Sequence, residues 1–306
     1  MDQKSLYEQT PAYSDHSPLS YPQRTSPKSS KSTQNLFMTK KQQKNKAKWI
    51  MVVVANDFQI PFHDHDALAL LNLFLKKERP EWLILNGDFQ DFWEISSFDL
   101  TPRTGKELVE EIRMGTKILK SFRHILGTGR ITWIEGNHEF HLRKYLIHKA
   151  KELYGLPRLS VPELFGLKDL DIEYVPCHPM ASRFMDNFIQ VGNLYVGHWD
   201  TIAKDGGYAA KRLVDNKGVS LMQGHTHRFG AHAKTTVDGR VLLGIENSSM
   251  CSRSVSYVSH PNWQTGFSVL YLEPGSGRFQ WYPILITNHS FVWEGKEYCL
   301  DREKRA

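Results

Sequence analysis

Cysteine is scarce in this chain. Cys177, Cys251 and Cys299 lie far apart and are odd in number. That excludes a disulfide framework and a Cys-x-x-Cys metal knuckle, and favours a reducing compartment, the cytoplasm. Long hydrophobic runs are also missing: none approaches the roughly 20 apolar residues a membrane-spanning helix needs. The N-terminus carries no apolar stretch of the secretory-signal kind. What remains is a chain of 306 residues, 40 % hydrophobic and 24 % charged, enough for one large α/β domain or two small ones.

Most of the chain also lacks net charge. The total is +6, but residues 1–48 hold nine Lys/Arg against three Asp/Glu, leaving 30 basic and 30 acidic residues in 49–306. A general basic surface for nucleic acid is therefore not supported. Residues 1–48 are rich in Ser, Gln, Lys, Thr and Pro and poor in branched apolar side chains. Such a segment cannot offset the entropy of ordering it, so a disordered basic tail is expected there and a folded domain over 49–306. The basic run Lys40–Lys48 reads as a solvated arm ahead of a contact for a phosphate-rich partner.

Apolar periodicity then places the elements. Strands are expected at 49–55, 82–85 and 130–134, and helices at 67–77, 106–126 and 139–153. This β/α alternation marks a parallel-rich layered sheet. After residue 170 short strands follow at 172–175, 188–191, 194–196 and 219–222, interrupted by a helix near 207–214. An Asp238-Gly239 turn joins 232–236 to 241–245, and 267–272 and 279–283 complete the expected strands. No internal repeat is present. The fold class expected is α/β, one domain of two packed mixed β-sheets flanked by helices.

Five polar clusters follow in order: Asp57-Phe58-Gln59, Gly87-Asp88-Phe89-Gln90-Asp91, Gly136-Asn137-His138-Glu139, Gly197-His198 and Gly224-His225-Thr226-His227. Most of them close a β-branched apolar run, which delivers Asp, Asn and His side chains from several strand ends to one place. Any one could be a turn or a helix cap. Three repeats of strand, turn and polar side chain are hard to assign to three unrelated caps. His225 and His227 alternate around Thr226 and would share a face in an extended segment. Gathered oxygen and imidazole ligands suit a pair of divalent ions, hence a metal-dependent hydrolase. Of the 14 histidines, His65, His124, His141, His148, His178, His232, His260 and His289 are given no role.

Taken together, these clusters resemble the calcineurin-like metallophosphoesterase superfamily over about residues 52–272. Ile60-Pro61-Phe62-His63-Asp64, Leu142-Arg143-Lys144-Tyr145-Leu146 and Asn262-Trp263-Gln264-Thr265-Gly266-Phe267 are similar to members from bacteriophages and bacteria. The resemblance implies a four-layer metallophosphoesterase sandwich. It also implies a first metal on Asp57 and His227, with Asp88 bridging to a second metal on Asn137, His198 and His225. His138 would contact the phosphate and protonate the leaving oxygen, with Asp91 fixing its orientation. Two ions roughly 3.5–4 Å apart would turn a bridging water into the attacking hydroxide.

One position departs from the pattern. The first motif is usually Asp-x-His, and Gln59 takes the third place. Its side-chain oxygen suits Mn²⁺ better than zinc or iron, so Mn²⁺ is favoured, with Fe, Zn or Mg as alternatives.

Substrate contacts are less marked in the sequence. Arg228 could meet a phosphate or form a surface salt bridge, and His63 could line the pocket. Asp64 could line it too or cap the following helix. Arg143 and Lys144 read as a solvated helix face, and Trp199 as core. Asn262-Trp263-Gln264 suits a base or sugar as well as it suits a loop packed on the sheet.

The function expected is hydrolysis of phosphoric esters, a phosphodiesterase or nuclease ahead of a protein or nucleotide phosphatase, with a phosphoester or nucleic-acid partner and no membrane. A binding scaffold of the same fold is the competing class; only Gln59 favours it, because His138, Asp91 and both Gly-His motifs are intact.

Overall fold

A computed structural model describes residues 48–96, 107–178, 181, 183–254 and 261–300. The tail expected over 1–48 lies outside these residues except for Lys48.

The first sheet grows from apolar runs that bury both faces. Strands β1 (Ile50–Ala55), β2 (Trp82–Asn86), β3 (Arg130–Ile134) and β4 (Ile172–Val175) run parallel. Two later strands, β10 (Gly266–Leu272) and β11 (Phe279–Leu285), extend the sheet antiparallel beyond β1, giving the order β11-β10-β1-β2-β3-β4. Successive side chains on a strand point to opposite faces. Val53 and Ala55 accordingly meet Leu70, Leu71 and Phe74 of helix α1 (His65–Glu78) and Leu119 and Phe122 of α2 (Glu107–Leu126). Val52 and Val54 face the other way and meet Val196, Met222 and Ile245 of the second sheet.

That second sheet has the order β5-β6-β7-β9-β8. It contains β5 (Asn187–Val191), β6 (Leu194–His198), β7 (Ser220–Gln223), β8 (Gly230–Thr235) and β9 (Val241–Glu246). β6, β7 and β9 are parallel, with antiparallel edges. Helix α5 (Tyr208–Lys217) covers its outer face through Leu213 and Val214, packed with Leu221 and Trp199. Helices, sheet, sheet and helix make four layers, and both sheets are mixed, as expected.

Three expectations need correction. The helix foreseen over 139–153 stops earlier: α3 is Glu139–Lys149, and a separate single turn follows at Lys151–Leu153. The short α4 (Val161–Leu164) comes after it, with a proline in its first turn. The strands also do not end with β11. A hairpin of β12 (Ser290–Trp293) and β13 (Lys296–Cys299) packs Phe291, Trp293 and Tyr298 against Phe74 of α1. These strands have four residues each and turn through Glu294 and Gly295, both at positive φ, so they carry almost no periodic signal.

The parallel strands place the site. β1, β2, β3, β6, β7 and β9 all send their carboxyl ends the same way, and their loops stay hydrogen-bonded past the strands. Asp57 N donates to Gly87 O at 3.1 Å, Gln59 N to Asp88 O at 2.9 Å and Asn247 N to Gln223 O at 2.9 Å.

Candidate metal centre

Backbone strain concentrates in these loops. Asp57 (φ 52°), Gln59 (47°), Asp88 (49°), His225 (74°) and His227 (56°) all adopt left-handed conformations, uncommon for residues other than glycine. Such strain persists only where the surroundings enforce it, and it gathers at functional sites. His225 and His227 therefore do not reach one place by strand alternation, as the sequence pattern suggested. They sit in the loop beyond β7, each turned by its own positive φ. The loops also pack closely: a Cβ on Gly136 would overlap the Asp88 carboxylate, and one on Gly87 would overlap the His198 ring.

The side chains converge. Asp88 Oδ2 lies 3.1 Å from His198 Nε2 and 3.9 Å from His138 Nε2. Asn137 Oδ1 is 3.1 Å from His198 Nε2. Asp88, His198 and His225 each present a ligand atom within 4.8 Å of the others. Asp57 Oδ1 is 3.5 Å from His227 Nε2, and the Asp57 carboxylate accepts from His225 N at 2.9 Å. Gln59 Nε2 meets His138 Nε2 at 3.2 Å. On its other side His138 Nδ1 meets Asp91 Oδ1 at 2.9 Å and Asp91 O at 3.0 Å.

Burial and neighbouring charge sort these groups. Burial alone would raise Asp88, but the His198 and His138 imidazoles hold it far below the usual carboxylate range. Burial would likewise lower His198 and His138, yet Asp88 lifts His198 to about 9, and Asp88 with Asp91 lifts His138 to about 10. Asp57 is pushed up to about 7 by burial. His225 and His227 fall to about 4 and about 3, mainly by burial, and are neutral imidazoles.

The donors fit divalent ions. Carboxylate, amide oxygen and neutral imidazole are the ligand types of hard and borderline cations. His198 Nδ1 is tied to Asn86 O at 3.0 Å, which turns Nε2 toward Asp88, the outer-shell support that metal-binding histidines use. His227 Nδ1 is buried and has no hydrogen-bond partner among the described residues.

The family model described as calcineurin-like phosphoesterase matches residues 50–229. The chain belongs to this family. Its members are typically hydrolases of phosphoester bonds, and divalent-metal binding is typical of them. No curated protein matches the chain. Among solved structures the calcineurin-like chain is similar to Vps29 of Entamoeba histolytica complexed with zinc (15 % identity, 81 % of this chain and 99 % of that one, TM-score 0.40). It is also similar to YfcE, a phosphoesterase from E. coli (9 %, 76 % and 98 %, TM-score 0.34), and to a dimetal phosphatase from Danio rerio (13 %, 74 % and 93 %, TM-score 0.31).

Two carboxylates that sequence reasoning left without a role hold this calcineurin-like site together. Glu139, the first residue of α3, accepts from Asp88 N at 2.9 Å, Gln90 N at 2.9 Å and Gly136 N at 2.7 Å, clamping the loops after β2 and β3. Burial, with Asp88 beside it, raises its carboxyl to about 8. Glu246, at the end of β9, accepts from Ala209 N at 2.9 Å at the start of α5 and from Thr226 Oγ1 at 2.9 Å. The loop between His225 and His227 is thus pinned to a helix N-terminus.

The remaining sequence candidates fall in several places. Asp64 caps α1, accepting from Asp66 N at 3.0 Å and Ala67 N at 2.9 Å. His63 is buried, packs its ring on His65 at 4.5 Å and is lowered to about 4 by burial. Arg228 makes no salt bridge among the described residues; its Nη1 donates to the Ala203 carbonyl. Trp199 is core, stacked on Phe188 at 5.8 Å. Arg143 is not solvated, contrary to expectation; it pairs with Glu135 at 3.2 Å, donates to His178 O at 2.9 Å and lies over Phe140. Trp263 packs on the His227 ring at 4.2 Å. Cys177, Cys251 and Cys299 form no disulfide among the described residues; the first two are buried and the third is exposed. Among the described residues no helix is long and apolar enough to cross a membrane.

Proposed function

We propose that this chain is a phosphodiesterase of the nuclease type, working with two divalent ions of which Mn²⁺ is preferred. The observation that carries the reading is the position of Asp88. One carboxylate faces the candidate ligand His198 and the candidate acid His138, at 3.1 and 3.9 Å. Asp57, Gln59 and His227 would hold one ion, and Asn137, His198 and His225 the other, with Asp88 shared. Ions bound there would supply Lewis-acid chemistry, for activating a water and neutralising phosphoryl oxygens.

The chain's own groups do the rest. Asp91 holds the Nδ1 side of His138, leaving Nε2 as the atom that gives a proton to the departing oxygen. The Asp91 carboxylate against Nδ1 favours the protonated imidazole, the form this role needs. Asn137, carried on the same turn, orients beside His198. Glu139 fixes the spacing of the loops that bear Asp88 and His138. Preference for a diester is supported by the resemblance to phage-type members and by the nine Lys/Arg of residues 1–48, which suit a polyanion. Three cysteines without a disulfide suit the cytoplasm.

The test is hydrolysis of an aryl phosphodiester and an aryl phosphomonoester side by side with Mn²⁺, for wild type, Asp88→Asn and His138→Ala. Diester turnover lost in both variants supports the proposal. Turnover of the monoester alone makes the protein a phosphatase. No turnover of either, with metal bound, leaves a binding scaffold.

A further inference from the structure

The Asn262–Gln264 segment lies outside the proposed ligand set but is built onto it. Gln264 N donates to His227 O at 3.0 Å, and Gln264 Oε1 accepts from Phe229 N at 2.8 Å. Ser249 N donates to Gln264 O at 3.0 Å. The segment is therefore fixed from both sides to the loops after β7 and β9. This attachment sets the Trp263 indole against the His227 imidazole, centroids 4.2 Å apart and planes inclined by 43°. His227 is buried, whereas Trp263 stays only half-buried and Asn262 is exposed. Asn262 Oδ1 is occupied by Gln264 Nε2 at 3.0 Å, and Asn262 Nδ2 is the donor not engaged in that bond.

Here a backbone-anchored indole is kept partly exposed in contact with a candidate metal ligand, beside an exposed amide. An aromatic face with an adjacent amide donor is the chemistry that recognises a nucleobase: the ring stacks with any base, and the amide meets its polar edge. We propose that Trp263 is a stacking platform and Asn262 an edge contact for the base of a nucleoside phosphodiester held at the metal centre. This deepens the phosphodiesterase reading and rests on it for turnover, but not for binding.

Two esters with one leaving group separate stacking from chemistry: thymidine 5′-(p-nitrophenyl phosphate) and methyl p-nitrophenyl phosphate. Wild type is expected to favour the nucleoside ester in kcat/KM by roughly tenfold or more, the scale of one base–aromatic stack. Trp263→Leu is expected to remove most of that ratio through KM, and Trp263→Phe to keep much of it. An equal ratio in wild type and Trp263→Leu would overturn the proposal and leave Trp263 a packing residue of His227.

Binding is read independently by titrating adenosine 5′-monophosphate into the Mn²⁺-loaded protein and following tryptophan fluorescence. Saturable quenching is expected, strongly reduced in Trp263→Phe, with none from inorganic phosphate. Quenching without turnover of any ester would reject the hydrolase reading and keep the platform. Turnover without quenching would do the reverse.

Discussion

Gln59 Nε2 lies 3.2 Å from His138 Nε2. The side chain that stands where this family usually has histidine thus touches the proposed acid directly. With His138 Nδ1 held by Asp91, the Gln59 amide is the group on the opposite edge of the imidazole. The same side chain carries an oxygen suited to a hard cation. With its oxygen on a cation, the Gln59 NH₂ can donate to His138 Nε2 only once that nitrogen has given up its proton, so one residue can serve the metal and hold the deprotonated His138.

Gln59→Ala is expected to weaken Mn²⁺ binding about 10- to 100-fold, the usual cost of losing a supporting group at a metal site. It is also expected to lower kcat at saturating Mn²⁺, because His138 loses a partner. Metal titration and steady-state kinetics on the same preparation check both parts. Normal kcat once the metal is restored would show that the contact with His138 has no catalytic weight.

Glu139 offers a sharper structural test. Oε2 accepts from Asp88 N and Gly136 N, and Oε1 from Gln90 N. An amide in its place must set an NH₂ against at least one buried N–H. Above about pH 8, where the carboxyl is ionised, Glu139→Gln is therefore expected to cost about 2–4 kcal/mol of folding stability, from one or two buried donors left unpaired. Denaturant unfolding measures this, and a change under about 0.5 kcal/mol would reject the clamp.

How much of this site was legible in the sequence follows from how each residue is delivered. Asp57, Asp88 and Asn137 follow strands buried on both faces, and parallel strands must release their loops at one end. Their convergence could be read from the apolar runs alone. Strand alternation does not deliver His225 and His227, since alternation presumes an extended chain and both residues are left-handed. Glu139 stayed hidden because a glutamate opening a helix reads as a dipole partner. Nothing local shows that its carboxylate turns back onto three backbone amides. Arg143 looked solvated because its partners Glu135 and His178 are brought in by tertiary packing. The hairpin of β12 and β13 was missed for a related reason, its few apolar side chains acquiring meaning only against Phe74.

Glu111 gives the fold a pH dependence that does not involve the ligand set. Burial raises its carboxyl from 4.5 to about 8, while it accepts from Phe92 N and Gln90 Nε2. In the unfolded chain the group ionises near its ordinary value, so the folded state holds the proton more tightly. Its contribution is complete below about pH 4.5 and is lost as pH rises through about 8. Glu111→Gln is expected to gain on wild type between pH 5 and pH 8 by on the order of 2 kcal/mol, read from unfolding midpoints at each pH. Parallel stability profiles for the two proteins would contradict this.

The central claim is that Asp88 is shared by two ions in one site. The measurement that tests it most directly is Mn²⁺ stoichiometry after equilibrium dialysis, for wild type and Asp88→Asn together. About two Mn²⁺ per wild-type chain are expected, with a loss from both sites in the variant, because one carboxylate serves two ions. Two ions retained in Asp88→Asn, or none taken up by a folded wild-type chain, would contradict it.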